Sequence, residues 1–98
     1  MARHAPDVEH MVCALDAERM ALLGDVAAAA QRYSGAAAGA LRRGYVSHAA
    51  LFHERHARIL HATRRTTQAA RVLERAIELY SSWGATAKVG ALEADPWG

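Results

Sequence analysis

Three glycines, Gly24, Gly44 and Gly84, each end a segment in which apolar residues recur every three or four positions. Glycine is common just after the last turn of a helix, because it adopts the left-handed conformation without a steric penalty. The only prolines, Pro6 and Pro96, lie near the two ends, so no proline interrupts the interior. The pattern predicts a series of helices joined by short turns, and no segment shows the alternation that is typical of a strand.

The apolar period predicts four long helices and a short fifth helix. We place them at residues 7–23, 25–43, 46–62, 66–82 and 86–94. The predicted N-caps are Asp7, Asp25 and either Thr66 or Thr67. Residues 1–6 and 95–98 are expected to fray at the ends of a single domain that spans residues 1–98.

Small residues dominate the predicted helices. Hydrophobic residues make up 52% of the chain, with alanine by far the commonest of them, and aromatic residues only 6%. A core of small side chains requires close contact between backbones, which favours packed helices. Gly35 and Gly39, within the second helix, either let another backbone approach closely or let the helix bend.

The helix–turn–helix phase repeats with an offset of 40 residues, at which Gly44 corresponds to Gly84. A repeat of this kind is typical of structures in which each unit buries its apolar face against the next unit. The sequence therefore predicts an all-α fold in which antiparallel helical hairpins stack as a short α-solenoid.

Composition and charge argue against several classes of function. The formal net charge of +2 is too small to indicate a nucleic-acid partner, and no aromatic side chains lie between the arginines as a stacking platform. Cys13 is the only cysteine, so the chain cannot form an internal disulfide. No uncharged stretch approaches the ~18 residues of a membrane helix. We expect a cytoplasmic protein that binds neither a membrane nor nucleic acid.

The C-terminal half of the chain carries a specific closing sequence, formed by Tyr80, Trp83, Gly84, Ala85, Ala87, Lys88, Val89, Leu92 and Glu93. It is preceded, without a gap, by Gly44, Tyr45, Val46, Glu54, Ala57 and Arg58. Together these residues resemble the end of the tetratricopeptide-like arrays that close the ATPase regions of large bacterial signalling proteins, in the STAND class of regulators and sensor kinases. The resemblance covers about three quarters of the chain.

This resemblance implies a protein–protein interaction or scaffold module of a bacterial regulatory system, with no chemistry of its own. Because the chain has no P-loop and no kinase motif, the ATP-linked activity of the family is not implied for any residue here. The predicted binding groove contains His53, Glu54, Arg55 and Arg58, which could hold an acidic peptide segment of a protein partner. His53 and His56 replace the Asn and the small residue that the family tends to carry.

The alternative hypothesis is a small histidine-rich enzyme, possibly biosynthetic, that binds a metal or another ligand. His53 and His56 lie one turn apart on the third helix, and His10 and Cys13 are similarly spaced on the first helix. If these two helices stack, the four side chains could form a site for zinc or another transition metal. His53 and His56 could instead perform acid–base catalysis with Glu54. The simpler interpretation has no metal and no cofactor, and makes His56 a partly buried core residue.

Self-association is the last expectation. Two repeats are fewer than the roughly three that a stable solenoid usually needs. The apolar residues without an evident cover lie near the two ends of the chain: Val8, Met11, Val12, Leu15, Leu92 and Trp97. We therefore expect a homodimer, because a closed twofold dimer is the commonest assembly that covers such a surface.

Overall fold

The computed structural model describes residues 15–97, which form helices joined by short turns and contain no strand. The all-α prediction is therefore confirmed for this part of the chain. Helix α1 is described over residues 15–22. The helices that follow are α2 (Val26–Arg42), α3 (Val46–Ala62), α4 (Thr66–Trp83) and α5 (Thr86–Ala94). The predicted bounds of α3 and α5 agree with the structure, those of α2 differ by one residue at each end, and those of α4 differ by one residue at its C-terminal end.

Of the predicted N-caps, Asp25 is confirmed, because its side chain accepts a hydrogen bond from the backbone N–H of Ala28 at 3.1 Å. The prediction for α4 is wrong, since its N-cap is Arg65 and no side chain caps this end. The turn before α4 ends one residue earlier than the threonines suggested, so Thr66 is already the first helical residue. Asp7 lies outside the described residues.

The four turns between the helices share one backbone conformation. Positive φ angles occur at Gly24 (86°), Gly44 (82°), Arg64 (65°) and Gly84 (90°), which are spaced 20 residues apart. At each turn, the next residue donates its backbone N–H to the carbonyl oxygen five residues earlier, at 2.8 to 2.9 Å. This hydrogen bond defines the Schellman motif, which satisfies carbonyl groups at the end of a helix. The same turn therefore ends each of the first four helices.

Arg64 is the only one of these four positions without a glycine, and it carries a steric penalty that glycine avoids. We expect Arg64→Gly to raise the free energy of unfolding by about 0.5 kcal/mol, because the lost strain exceeds the extra entropy of glycine in the unfolded chain. Gly84→Ala should lower it by about 1 kcal/mol, since a Cβ is introduced at positive φ. Urea denaturation of both variants checks this pair, and a destabilised Arg64→Gly protein would contradict it.

The core lies where α3 packs against α2 and α4, while α5 packs against α4. Tyr33 and Phe52 are the largest fully buried side chains, and most of the remaining buried residues are alanines. Leu92 provides the buried contact of α5. Small side chains at these contacts let the helices approach closely, as the alanine content predicts.

Gly35 does not mark a close approach between two backbones, because a Cβ built at this position meets no atom within 4 Å.

At the C-terminal end of the described residues, Trp97 stacks on His61 of α3, with ring centroids 4.3 Å apart. The tail residue Trp97 is thus half-buried against the helices. Among the described residues, no helix combines the length and the apolar character that crossing a membrane requires.

Candidate functional site

The four residues of the predicted groove all lie on α3, but they do not share one face. Successive residues of a helix point about 100° apart, so His53, Glu54 and Arg55 are directed to different neighbours. Glu54 contacts α4 and α5, and Arg55 contacts α1. His53 is close enough to α4 for the charge of Arg75 to lower its pKa. The structure therefore divides the predicted groove residues into three environments.

Glu54 is a buried carboxylate, with only 4% of the residue exposed. The hydroxyl of Tyr80 donates a hydrogen bond to its Oε1 at 2.8 Å. Lys88 Nζ lies 3.2 Å from Oε2 and 3.1 Å from Oε1, and an Arg58 nitrogen lies 3.0 Å from Oε2. Because three donors already surround it, this carboxylate holds α3, α4 and α5 together and has little capacity left for a ligand.

Sequence reasoning missed the link between Glu54 and its two partners from other helices. Tyr80 and Lys88 are 26 and 34 residues further along the chain. Burial is the largest cause that raises the pKa of Tyr80 above its usual range, followed by the hydrogen bond to Glu54. The sequence signal was indirect: all three residues belong to the set that resembles the tetratricopeptide-like arrays.

Arg55 forms an ion pair with Glu18 of α1, with 2.6 Å between the nitrogen and the carboxylate oxygen. Arg55 and Arg58 also line one open groove of about 430 Å³ between α1 and α3. The rest of this groove, named here the α1–α3 groove, is lined by Glu18, Ala21, Leu22, Tyr33, Ile59, Ala62 and Thr63. The structure thus brings Arg55 and Arg58 together beside an apolar surface, as the groove hypothesis expects of two of its four residues.

His53 is half-buried on α3, and its environment disfavours a positive charge. Burial is the main cause that lowers the pKa of His53 to about 4, and the electrostatic effects of Arg75 and then His56 add to it. A neutral imidazole can bind a metal or accept a proton, so this property alone does not decide between the hypotheses.

His56 is buried and packs against an aromatic ring of α2. Its ring stacks on Tyr33 with centroids 5.7 Å apart and an angle of 14° between the planes. Burial lowers the pKa of His56 below its usual value, and burial beside Glu18 raises the pKa of Tyr33 to about 12. His56 Nε2 and the Tyr33 hydroxyl are buried with no hydrogen-bond partner among the described residues.

The hypothesis of a metal site or an acid–base site receives a partial test. No group of three or more His, Cys, Asp or Glu side chains within residues 15–97 is arranged to hold a metal ion. His10 and Cys13 lie outside the described residues, so the four-ligand combination with His53 and His56 stays a prediction. Glu54 and His56 are two positions apart on α3, which directs them to opposite sides of the helix, away from any shared substrate.

The two shifted histidines make stability depend on pH. The folded pKa of His53 is about 4 and that of His56 is also lowered, so the unfolded chain binds more protons as the pH falls below 6.5. We expect the free energy of unfolding to decrease between pH 6.5 and pH 4, by at most about 1 kcal/mol per pH unit for His53. Urea denaturation at several pH values in this range measures the decrease in the free energy of unfolding.

The His53→Gln variant should flatten this dependence, and the comparison variant is His61→Gln, which removes an exposed histidine of the same helix. Equal pH dependence in the His53→Gln protein and the unmodified protein would contradict the assignment.

Comparison of the chain with protein-family models, with curated protein sequences and with solved structures gives no match.

Proposed function

We propose that this chain is a protein-interaction module, built from tetratricopeptide-like helical hairpins of a regulatory system, whose α1–α3 groove binds a peptide segment of a protein partner. The peptide carries an acidic side chain close to an apolar one. The observation on which the proposal depends is the pair of arginines, Arg55 and Arg58, beside the apolar surface of this groove.

Contacts between alternate helices support the stacked arrangement of hairpins. The ion pair between Arg55 and Glu18 joins α3 to α1, and the contact between Glu54 and Lys88 joins α3 to α5. In a stack of helical hairpins, the first helix of each unit lies beside the first helix of the next. The 20-residue spacing of the turns, at positions 24, 44, 64 and 84, is also what a regular stack requires.

The chemistry of the groove supports an acidic peptide. The side chains of Arg55 and Arg58 are 45% and 53% exposed, so both guanidinium groups reach solvent while they contact carboxylates of this chain. A guanidinium has five N–H donors and can bind a second carboxylate without leaving the first. Leu22, which is 89% exposed, and Ile59 provide the apolar surface beside them.

The test is selection from a displayed library of random 12-residue peptides, followed by affinity measurements on the selected peptides. We expect the selected peptides to be enriched in Asp or Glu next to Leu, Ile or Phe. Arg55→Gln with Arg58→Gln should weaken binding by about tenfold, because two charged hydrogen bonds are lost. The matched control is Arg32→Gln with Arg42→Gln, which removes the same charge from exposed positions on α2 outside the groove.

Circular dichroism must show that the Arg55 and Arg58 variant remains folded, because Arg58 also contacts buried Glu54. Selected peptides without acidic residues would overturn the proposal. Equal affinity of the folded groove variant and the unmodified protein would do the same.

A second candidate occupant is another copy of this chain. Leu15, Leu22 and Leu23 of the first helix and its turn are 63%, 89% and 77% exposed, and clusters of exposed leucines are typical of contact surfaces. We propose that a homodimer covers them. Light scattering at tens of micromolar should then give about twice the 10.6 kDa mass of the chain, and Leu22→Glu should shift the protein towards monomer. A monomeric unmodified protein would exclude this dimer.

A further inference from the structure

A second cavity lies between α2, α3 and α4. Its volume is about 500 Å³, and it shares no lining residue with the α1–α3 groove. This volume is in the range of cavities that bind small molecules. The apolar part of its wall is formed by Val26, Ala27, Ala30, Leu60 and Val72. These side chains suit the hydrocarbon part of a small ligand.

His56 brings an unused polar group next to this wall. The residue is 7% exposed, and its side chain lines the cavity. Its Nε2 atom is buried and forms no hydrogen bond with a described residue. A buried polar atom without a partner is unfavourable, and a ligand in the cavity could provide the partner. Because burial keeps the imidazole neutral, its hydrogen bond does not require a charged ligand at this point.

The part of the cavity wall at the start of α4 is polar and positively charged. Arg65, Gln68 and Arg71 line this part, and none of the described residues that line the cavity is acidic. Neither arginine forms an ion pair with another described residue. Helix α4 begins at Thr66 without a side-chain cap and without an acidic residue in its first turn. The free N–H groups and the positive end of the helix dipole therefore add to the charge of the arginines.

We infer that this cavity is a binding site for a small carboxylic acid with an apolar body. The carboxylate lies at Arg65, Arg71 and the start of α4, and the hydrocarbon part lies against Val26, Leu60 and Val72. The carboxylate also bonds to His56 Nε2, which a small rotation of the imidazole brings to the surface of the cavity. This site is separate from the peptide groove proposed above, because the two share no lining residue among those that the structure describes.

The experiment compares octanoate with octanol, two probes of similar length that differ in the carboxylate. Binding to the full chain is measured by calorimetry, and the histidine side-chain nitrogens are followed by nuclear magnetic resonance. We expect octanoate to bind with a Kd of about 1 mM or lower and to shift the His56 Nε2 resonance, with octanol bound about tenfold more weakly.

Two double variants test whether binding depends on the arginines of this site or only on the net charge of the protein. Arg65→Gln with Arg71→Gln should weaken octanoate binding by about tenfold and leave octanol binding unchanged. Arg32→Gln with Arg42→Gln removes the same charge outside the cavity and should leave both affinities unchanged. Equal affinities for octanoate and octanol would overturn the inference, as would an unshifted His56 Nε2 resonance at saturating octanoate. Unchanged octanoate binding in the Arg65 and Arg71 variant, with circular dichroism like that of the unmodified protein, would also overturn it.

Discussion

Replacing Phe52 by alanine is expected to lower the free energy of unfolding by about 4 kcal/mol. Phe52 is 1% exposed and is one of the two largest side chains that are fully buried among residues 15–97. The buried cluster to which it belongs consists mostly of alanines, which have no flexible atoms to move into the space that the ring leaves. The loss therefore combines the transfer energy of the ring with an unfilled cavity.

Urea denaturation at low temperature measures this loss, because a protein of this size has a total stability of only about 5–15 kcal/mol. Trp83→Ala is the matched control: it also removes a large apolar side chain, but from a position that is 60% exposed and outside both proposed contact surfaces, and should change stability by less than about 1 kcal/mol. A loss below about 2 kcal/mol for Phe52→Ala would show that the core closes around the space.

Replacing Glu54 by alanine is expected to lower the free energy of unfolding by about 3 kcal/mol. The Tyr80 hydroxyl would lose the acceptor of its 2.8 Å hydrogen bond inside the core, which is the main cost. The side chains of Lys88 and Arg58 are 40% and 53% exposed, so both can return to water and contribute less. Tyr80→Phe removes only the donor and should cost about 2 kcal/mol.

The double variant, Glu54→Ala with Tyr80→Phe, isolates the contact between these two side chains. Since the hydroxyl is no longer left without an acceptor, the double variant should be more stable than the sum of the single changes predicts, by about 1 kcal/mol or more. Strictly additive changes would show that the two side chains are not coupled and that Glu54 acts through its cationic partners alone.

The helices could be predicted from the sequence because each has a continuous apolar stripe and a clear end. The bounds of α3 and α5 follow from the stripes, and the first turn of α2 follows from Asp25. At residue 64 the sequence indicated a turn, but an arginine does not indicate positive φ. The conformation there follows from packing of α3 against α4 rather than from the preference of the residue.

The candidate sites were less accessible to sequence reasoning because they depend on distances between helices. The period of α3 places Glu54 between Ala50 and Ala57 on one side of the helix, yet its charge suggested exposure. Its burial depends on Tyr80 and Lys88, whose approach a helical period does not encode. Similarly, His56 was correctly assigned to the apolar stripe, but the cavity beside it arises from small residues on α2, such as Ala27 and Ala30, that the stripe alone does not place.

The regular turns limit how the length of this chain can change. Helices α2, α3 and α4 have 17, 17 and 18 residues, and each is followed by the same turn with a positive φ angle. One inserted or deleted residue within a helix would rotate every later side chain of that helix by about 100°, which would move the buried alanines away from their neighbours. Insertions and deletions are therefore compatible with this fold chiefly as whole units of one helix and one turn, about 20 residues each.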